Sequence, residues 1–107
     1  MSIFIVETYV VRPEKLDEFT PALNEFLKFK KKNPKLFQGL KSWKLYKQEY
    51  GGTTHMYVEM WEYSSLEAME RISDRIFAHE EMIKIVKGFH QLIESISFST
   101  SIWYHVA

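Results

Sequence analysis

Hydrophobic positions along the chain alternate between the spacing of strands and the spacing of helices. Over residues 2–12, β-branched and aromatic side chains fall on both sides of a predicted strand, which is therefore apolar on both faces. Apolar residues then recur at helical spacing to about Lys32, where Asn33 and Pro34 end the helix. Two more strand patterns, a second helical pattern and a last strand over Ser97–Val106 follow. The predicted order of elements is βαββαβ.

The first predicted helix contains a proline in its middle. Pro13 suits the first turn, since a backbone N–H there would have no partner inside the helix. Pro21 has two interpretations. Either the helix kinks because the bond to the Asp17 carbonyl is lost, or a short first turn ends and Thr20 caps a second helix. We favour the kink.

The two central strand patterns, Lys41–Tyr50 and Thr53–Glu62, are separated only by Gly51 and Gly52. Glycine readily adopts the positive φ angles that a tight turn between antiparallel strands requires. We therefore predict a hairpin with its turn at these two glycines.

The second helical region begins with a capping signal. Ser64 is followed three residues later by Glu67, which is the signature of a capping box. We expect this region to break near Ser73 and Asp74 and to resume as a helical pattern through Ile93.

This order of elements is that of the ferredoxin-like fold, an α+β arrangement with a four-stranded antiparallel sheet. Right-handed crossovers place both helical regions on one face of the sheet. The other face has no helix to cover it, yet the first strand presents Phe4, Val6 and Val10 on one side and Ile3 and Tyr9 on the other. Apolar surface left in water costs about 25 cal/mol per Å2. We therefore expect a homodimer in which the two uncovered faces pack together.

Composition indicates one globular domain over residues 1–107, with 46% apolar and 16% aromatic residues. Basic and acidic residues are equal at 14 each, so we expect no nucleic-acid partner. The absence of cysteine excludes disulfides and thiolate metal sites, and it favours a cytoplasmic location. The N-terminus lacks the pattern of a signal peptide, and no apolar run reaches the ~20 residues that span a bilayer, so we expect no membrane association.

Two segments carry a resemblance to known proteins. Residues 3–19 contain a strand that ends in Arg12-Pro13 and the start of the helix that follows it. Residues 57–69 contain an aromatic and acidic strand end followed by serine and a short helix. This pattern resembles the dimeric α+β-barrel superfamily, which includes antibiotic-biosynthesis-type monooxygenases, haem-degrading monooxygenases, NIPSNAP proteins and stress-responsive barrel proteins. The resemblance implies two ferredoxin-like sheets packed as a dimeric barrel, with a ligand in each subunit between sheet and helices. It also implies oxygenation chemistry without a metal or flavin cofactor.

Two histidines fall on the apolar stripe of the last helical pattern. At 100° per residue, His79 and His90 share a stripe about 80° wide with Ile83, Val86 and Ile93. Histidine in such a place can transfer a proton or donate a hydrogen bond, or it can simply bond a carbonyl or solvent. We assign His79 a catalytic role and His90 a ligand contact.

The segment Ser-Asp-Arg-Ile-Phe-Ala-His over residues 73–79 is similar to the stretch that places the axial histidine of the haem-degrading enzymes. Two other functional positions of that family do not match. Glu7 stands about where the family has an asparagine, and Glu70 about where it has a tryptophan. A charge would thus replace a ring that contacts the macrocycle, so we expect no haem degradation.

Glu7 and several strand aromatics complete the predicted site. Glu7 lies in the middle of a strand between apolar neighbours, so it needs either a cationic partner, access to solvent, or a raised pKa. In the last case it is a candidate for catalytic proton transfer. Glu59 has the same interpretations. Tyr9, Tyr57 and Trp61 are our candidates for contact with an aromatic or hydrophobic ligand, although strand aromatics are often core residues.

Three functions remain open. We favour a small cofactor-independent monooxygenase that acts on a hydrophobic or aromatic metabolite, with His79 and Glu7 moving protons. The alternatives are a dimer that binds a small molecule without turnover, and a stress-response dimer whose pocket is filled by its own side chains. A cavity of at least ~300 Å3 between sheet and helices would favour the first two.

Overall fold

One antiparallel sheet of four strands, in the order β2-β3-β1-β4, forms the framework of the computed structural model, which describes residues 2–107. One helix follows β1 and two consecutive helices follow β3, so the α+β ferredoxin-like prediction is confirmed. The elements are β1 (Ile3–Val10), α1 (Leu16–Lys32), β2 (Ser42–Lys47), β3 (Met56–Tyr63), α2 (Leu66–Phe77), α3 (Glu80–His90) and β4 (Ser99–Tyr104), with short 3-10 turns at Pro13–Lys15 and Ser95–Ser97. Within the described residues, no helix is long and apolar enough to cross a membrane.

The register of β1 and β3 decides which side chains face the helices. Trp61 lies opposite Ile5, and Glu59 lies opposite Glu7. Because side chains alternate along a strand, the odd-numbered residues of both strands share one face. This face packs on the helices, since Trp61 belongs to the same buried cluster as Phe26 of α1. Both glutamates therefore point toward the helical layer.

The core consists of two buried clusters between this face and the helices. The smaller cluster contains Tyr9, Val11, Phe19 and Ile93. The larger cluster contains Ile3, Phe26, Phe29, Phe37, Trp61, Tyr63, Ala68, Ile72, Ile76 and Met82. Every helix contributes to at least one cluster, which is why helical periodicity was a usable signal in the sequence.

The opposite face of the sheet carries the even-numbered residues of β1 and β3. Phe4, Val58 and Met60 are only half-buried there, and none of these side chains belongs to either buried cluster of residues 2–107. On the neighbouring edge strand, Trp103 lies opposite Phe4 and is 57% exposed. One face of the sheet therefore remains apolar and without a helix, as the sequence pattern predicted.

Helix α1 continues through Pro21 without a break. The interpretation in which Thr20 caps a second helix is therefore wrong. Pro21 is the sixth residue of the helix that starts at Leu16, so the one lost bond would have reached the Asp17 carbonyl in the first turn. Packing of Phe19, Phe26 and Phe29 on the core compensates for this loss.

The turn between β2 and β3 is wider than predicted. β2 ends at Lys47 and β3 begins at Met56, so residues 48–55 form a loop rather than a two-residue turn. Gly51 and Gly52 do have positive φ angles, but His55 also has a φ of 64°. The Gln48 side chain folds back and donates to the Tyr50 carbonyl, which stabilises the wider loop.

The cap and the break of the second helical region also differ from the prediction. Ser65, and not Ser64, is the N-cap of α2, because its hydroxyl accepts from the Ala68 backbone N–H at 3.0 Å. The helix does not break at residues 73–74 but ends at Phe77, since Ile72 and Ile76 keep its apolar face on the core. The break comes immediately before α3.

Candidate functional site

A cavity of about 110 Å3 lies between the helix-facing side of the sheet and helices α1 and α3. It lies where the two buried clusters meet, because Tyr9 of one cluster and Trp61 of the other both line it. Phe77 and His90 line it as well and are exposed, so the cavity reaches the surface on their side. The other lining residues are Glu7, Phe19, Ala22, Leu23, Phe26, Trp43, Leu45, Glu59, Met82, Ile85, Val86, Phe89 and Phe98.

Glu7 contributes one carboxyl group to this mostly apolar cavity. The Nε1 atom of Trp61 donates to Oε1 of Glu7 at 3.2 Å. Residues 2–107 supply no donor to Oε2 of Glu7, and no fully buried side-chain oxygen among them lacks a partner. Oε2 is therefore open to the cavity and can meet a ligand.

Glu59 lies directly across the strand pair from Glu7 and is more completely bonded. Its Oε2 accepts from the Tyr9 hydroxyl at 2.9 Å, and its Oε1 accepts from Nε1 of Trp43 at 2.9 Å. Three neighbouring strands thus hold the two carboxyl groups in place, since Tyr9 is on β1 and Trp43 is on β2. Glu59 anchors the polar part of the cavity, while Glu7 keeps a free oxygen.

Burial and like charge shift the ionisation of these groups. Burial, together with the neighbouring Glu59 charge, raises the pKa of Glu7 from 4.5 to about 7, although the bond from Trp61 opposes the shift. Burial also raises the pKa of Glu59, against the bonds from Trp43 and Tyr9. The pKa of Tyr9 is raised by burial and by the Glu59 charge, so its hydroxyl stays protonated. With a pKa of about 7, Glu7 can gain or lose a proton at neutral pH.

Four of the six predicted site residues line the cavity, namely Glu7, Tyr9, Trp61 and His90. Tyr57 does not line it. Its ring packs against Tyr9 and Phe19, with centroids 6.1 and 4.5 Å away, so it supports the wall from behind. The geometry leaves Glu7 and Trp61 at the cavity interior and His90 near its exposed side.

His79 lies outside the cavity, contrary to our expectation that it faces a ligand pocket. It is the N-cap of α3, and its Nδ1 accepts from the Glu81 backbone N–H at 3.1 Å. Its ring packs edge-on against Phe29 at 5.1 Å. Counting 100° per residue places His79 on the apolar stripe only if His79 is part of the helix. The helix begins one residue later, at Glu80, so the count does not apply to His79.

Trp43 was not among the six predicted site residues, and Glu59 was not chosen although its sequence pattern has the same interpretations as that of Glu7. Both lie at odd positions that the register brings to the Glu7 side of the sheet, with Trp43 opposite Trp61 on β3. The alternation of β3 placed Glu59 on the same face as Tyr57 and Trp61, and that signal could have selected it. Trp43 could not be selected in this way, because its position opposite Trp61 depends on the register between β2 and β3, which the length of the loop 48–55 determines.

Among residues 2–107, no lysine or arginine lines the cavity. Within residues 2–107, no three side chains of His, Asp or Glu come together in a way that could hold a metal ion. For chemistry, the cavity offers the Glu7 carboxyl group, which can gain or lose a proton near neutral pH. It also offers the Glu59 carboxyl group, which hydrogen bonds hold in position, and aromatic walls that exclude water.

Comparison with known proteins supports the fold. No family model and no curated protein matches the chain. Among solved structures, a NIPSNAP family protein from Agrobacterium tumefaciens superposes with a TM-score of 0.78 at 18% identity, covering 99% of this chain and 94% of that one. An uncharacterized NIPSNAP domain protein from Burkholderia xenovorans gives a TM-score of 0.74 at 18% identity, covering 98% and 95%.

A third structure, from Bacteroides fragilis, is described as a dimeric protein of unknown function with a ferredoxin-like fold. It superposes with a TM-score of 0.66 at 13% identity and covers 97% of this chain and 96% of that one. These similarities span nearly the full length of each protein. The chain therefore has the ferredoxin-like α+β fold that these NIPSNAP and related proteins share.

Proposed function

We propose that this protein binds a small, largely apolar molecule in the cavity between sheet and helices, and that Glu7 exchanges a proton with it. One observation carries the proposal: a carboxyl group with a pKa of about 7 lies in an aromatic-lined cavity with one oxygen free. Perturbed carboxyl groups in such cavities are typical of ligand and catalytic sites. The titration of Glu7 near neutrality suits it to accept or donate a proton.

The size of the cavity limits the ligand. Its volume of about 110 Å3 does not reach the ~300 Å3 that would favour ligand binding over a pocket filled by its own side chains, so size alone favours that alternative. The binding proposal rests instead on the free carboxyl oxygen of Glu7. The volume is closer to the ~150 Å3 of an engineered cavity that binds benzene. A single ring or a short branched chain therefore fits, whereas a polycyclic ligand would require the exposed wall at Phe77 and His90 to move.

Binding is tested by NMR titration of the protein with benzyl alcohol, which combines one ring with one hydroxyl group. We expect benzyl alcohol to change the chemical shifts of cavity residues in the wild type. Ala22→Phe should raise the dissociation constant at least about tenfold, because the new ring fills the cavity. Ala78→Phe is the matched control, since Ala78 is exposed and outside the cavity. Equal binding by both variants would place the ligand elsewhere.

Cofactor-independent monooxygenation is a second candidate, which the resemblance to the antibiotic-biosynthesis-type enzymes suggests. Glu7 favours it, because such a reaction starts with removal of a proton from the substrate, and the substrate then supplies the electrons for O2. Oxygen consumption with small phenols and hydroquinones tests it. Consumption that exceeds that of Glu7→Gln at pH 8 would support the activity, and equal rates would exclude Glu7 as its base.

We also propose that the protein is a homodimer joined through the helix-free face of the sheet. The exposed apolar surface of that face supports this, as does the dimeric state given for the Bacteroides fragilis protein. Val6 is only 5% exposed in the protomer, so changing it would also disturb folding. Trp103 is the better probe because it is largely exposed on the same face.

The dimer is tested by sedimentation equilibrium at micromolar concentration. The wild type should have twice the chain mass, and Trp103→Glu should shift it toward the monomer. Ile102→Glu is a matched control, since Ile102 is adjacent and 46% exposed but points to the other face. A wild-type monomer would contradict the proposal, and so would equal dissociation of the two variants.

A further inference from the structure

The charges around the cavity are unbalanced. Two carboxyl groups, those of Glu7 and Glu59, line it, and Tyr9 and His90 are the other ionisable side chains that the described part of the chain places there. None of the ion pairs among residues 2–107 involves either glutamate. An acidic pair in an apolar cavity without a protein cation costs free energy, and a cationic ligand would remove that cost.

The aromatic walls suit a cation equally well. The rings of Trp43 and Trp61 lie 6.3 Å apart, and Phe26 is 5.1 and 5.9 Å from them, all measured between centroids. All three rings line the cavity next to the carboxyl groups. An organic cation is attracted to the faces of such rings, with tryptophan the strongest partner, while its apolar part is buried.

We propose that the occupant of the cavity is a small organic cation, a protonated amine on an apolar group of about one ring, bound between the Glu7–Glu59 pair and the aromatic walls. The ammonium group donates to the free Oε2 of Glu7, and its single positive charge offsets one carboxylate charge and is attracted to the other. Neutral and anionic molecules of the same size lack this compensation. The inference rests on the proposed binding function and specifies its ligand class.

Binding of a cation should release a proton from Glu7. Tyr9, Glu59, Tyr63 and His90 are the titratable groups around it, and the α1 and β2 residues of the cavity carry no charge. With a pKa of about 7, the ionised fraction of Glu7 is about nine-tenths at pH 8 and about one-tenth at pH 6. Affinity for a permanently charged cation should therefore fall about tenfold between pH 8 and pH 6.

Calorimetric titration with three molecules of one ring tests this inference. They are benzylamine, which is a cation at pH 8 and below, the neutral benzyl alcohol and the anionic benzoate. We expect benzylamine to bind at least about tenfold more tightly than benzyl alcohol at pH 8, and benzoate to bind most weakly. Its advantage over benzyl alcohol should shrink about tenfold at pH 6.

Glu7→Gln should lower the affinity for benzylamine about tenfold more than that for benzyl alcohol and should abolish the pH dependence. Glu70→Gln removes an exposed carboxyl group of α2 outside the cavity and serves as the control. A pH dependence that persists in Glu7→Gln would arise from another group and would refute the role of Glu7.

The two proposals fail in different ways. If benzyl alcohol binds in the cavity and benzylamine binds no more tightly, the cation inference is wrong while the binding site stands. If neither molecule binds at either pH, both the binding function and the cation inference are wrong.

Discussion

Glu7→Gln should stabilise the protein, and the gain should grow as the pH rises. The carboxyl group of Glu7 has a raised pKa in the folded state, so the folded protein binds its proton more tightly than the unfolded chain does. The stability that this proton contributes is fully present below 4.5, the pKa of Glu7 in the unfolded chain. It is lost as the pH rises through about 7, the pKa of Glu7 in the folded protein. Glutamine has nearly the same shape but cannot ionise, so it removes this loss.

The magnitude follows from the shift of the pKa. Raising the pKa from 4.5 to about 7 corresponds to about 3 kcal/mol of unfolding free energy, since each pKa unit is worth about 1.4 kcal/mol. Wild-type stability should therefore fall by about this amount, relative to Glu7→Gln, between pH 4 and pH 8. Glu59, whose pKa is also raised, contributes its own loss in both proteins, so the difference between them reports Glu7 together with its interaction with Glu59.

The assay is urea denaturation of wild type, Glu7→Gln and Glu70→Gln at pH 4, 5, 6, 7 and 8. The protomer concentration must be the same throughout, because association adds to apparent stability. Glu70→Gln should follow the wild type within about 0.5 kcal/mol, as expected for an exposed residue. A difference between Glu7→Gln and wild type that does not change with pH would refute the buried, proton-binding state of Glu7.

Three further predictions concern the helices and one tight contact. Ser65→Ala should cost about 1 kcal/mol, because it removes the cap of α2, whereas Ser64→Ala should cost less than about 0.5 kcal/mol; urea unfolding of both decides between the two serines. Gly39→Ala should destabilise the protein by more than about 1 kcal/mol, because φ is +96° and the new methyl group would lie 2.8 Å from the Ile72 side chain. Gly88→Ala should instead stabilise α3 by about 0.5–1 kcal/mol in the same assay, because the new methyl group meets no atom within 4 Å. His79→Ala should cost about 1 kcal/mol and His79→Asn much less, with benzyl alcohol binding unchanged in both; lost binding would restore His79 to the site.

The order of elements could be predicted because periodicity reports burial, and burial determines the fold. The alternation of β1 and the stripe of α1 come from side chains that pack in the core, such as Tyr9 and Phe26. The first and last residues of helices and strands depend on individual hydrogen bonds, which the spacing of hydrophobic residues does not reveal. Ser64 and Ser65 are equally good capping residues, and only the position of the backbone selects Ser65.

The site was predictable only where strand alternation determines it. Glu7 and Trp61 both line the cavity, because their strands cross the core and each residue's face follows from counting. His79 was selected from helical phase, which fails at a helix end because the first residue there can act as a cap. The bond between Tyr9 and Glu59 requires the register of two strands, which the sequence does not contain.

The Glu7–Glu59 pair is the feature of this fold that stability alone does not explain. Like charges directly opposite each other on paired strands are destabilising, and burial adds to the cost. A loss of about 3 kcal/mol at Glu7 is large beside the 5–15 kcal/mol by which domains are usually stable. An apolar residue at position 7 would avoid this loss and would pack against the same Trp61. A ligand that bonds the free carboxyl oxygen would recover part of the cost on binding, which gives the pair a physical reason to be there.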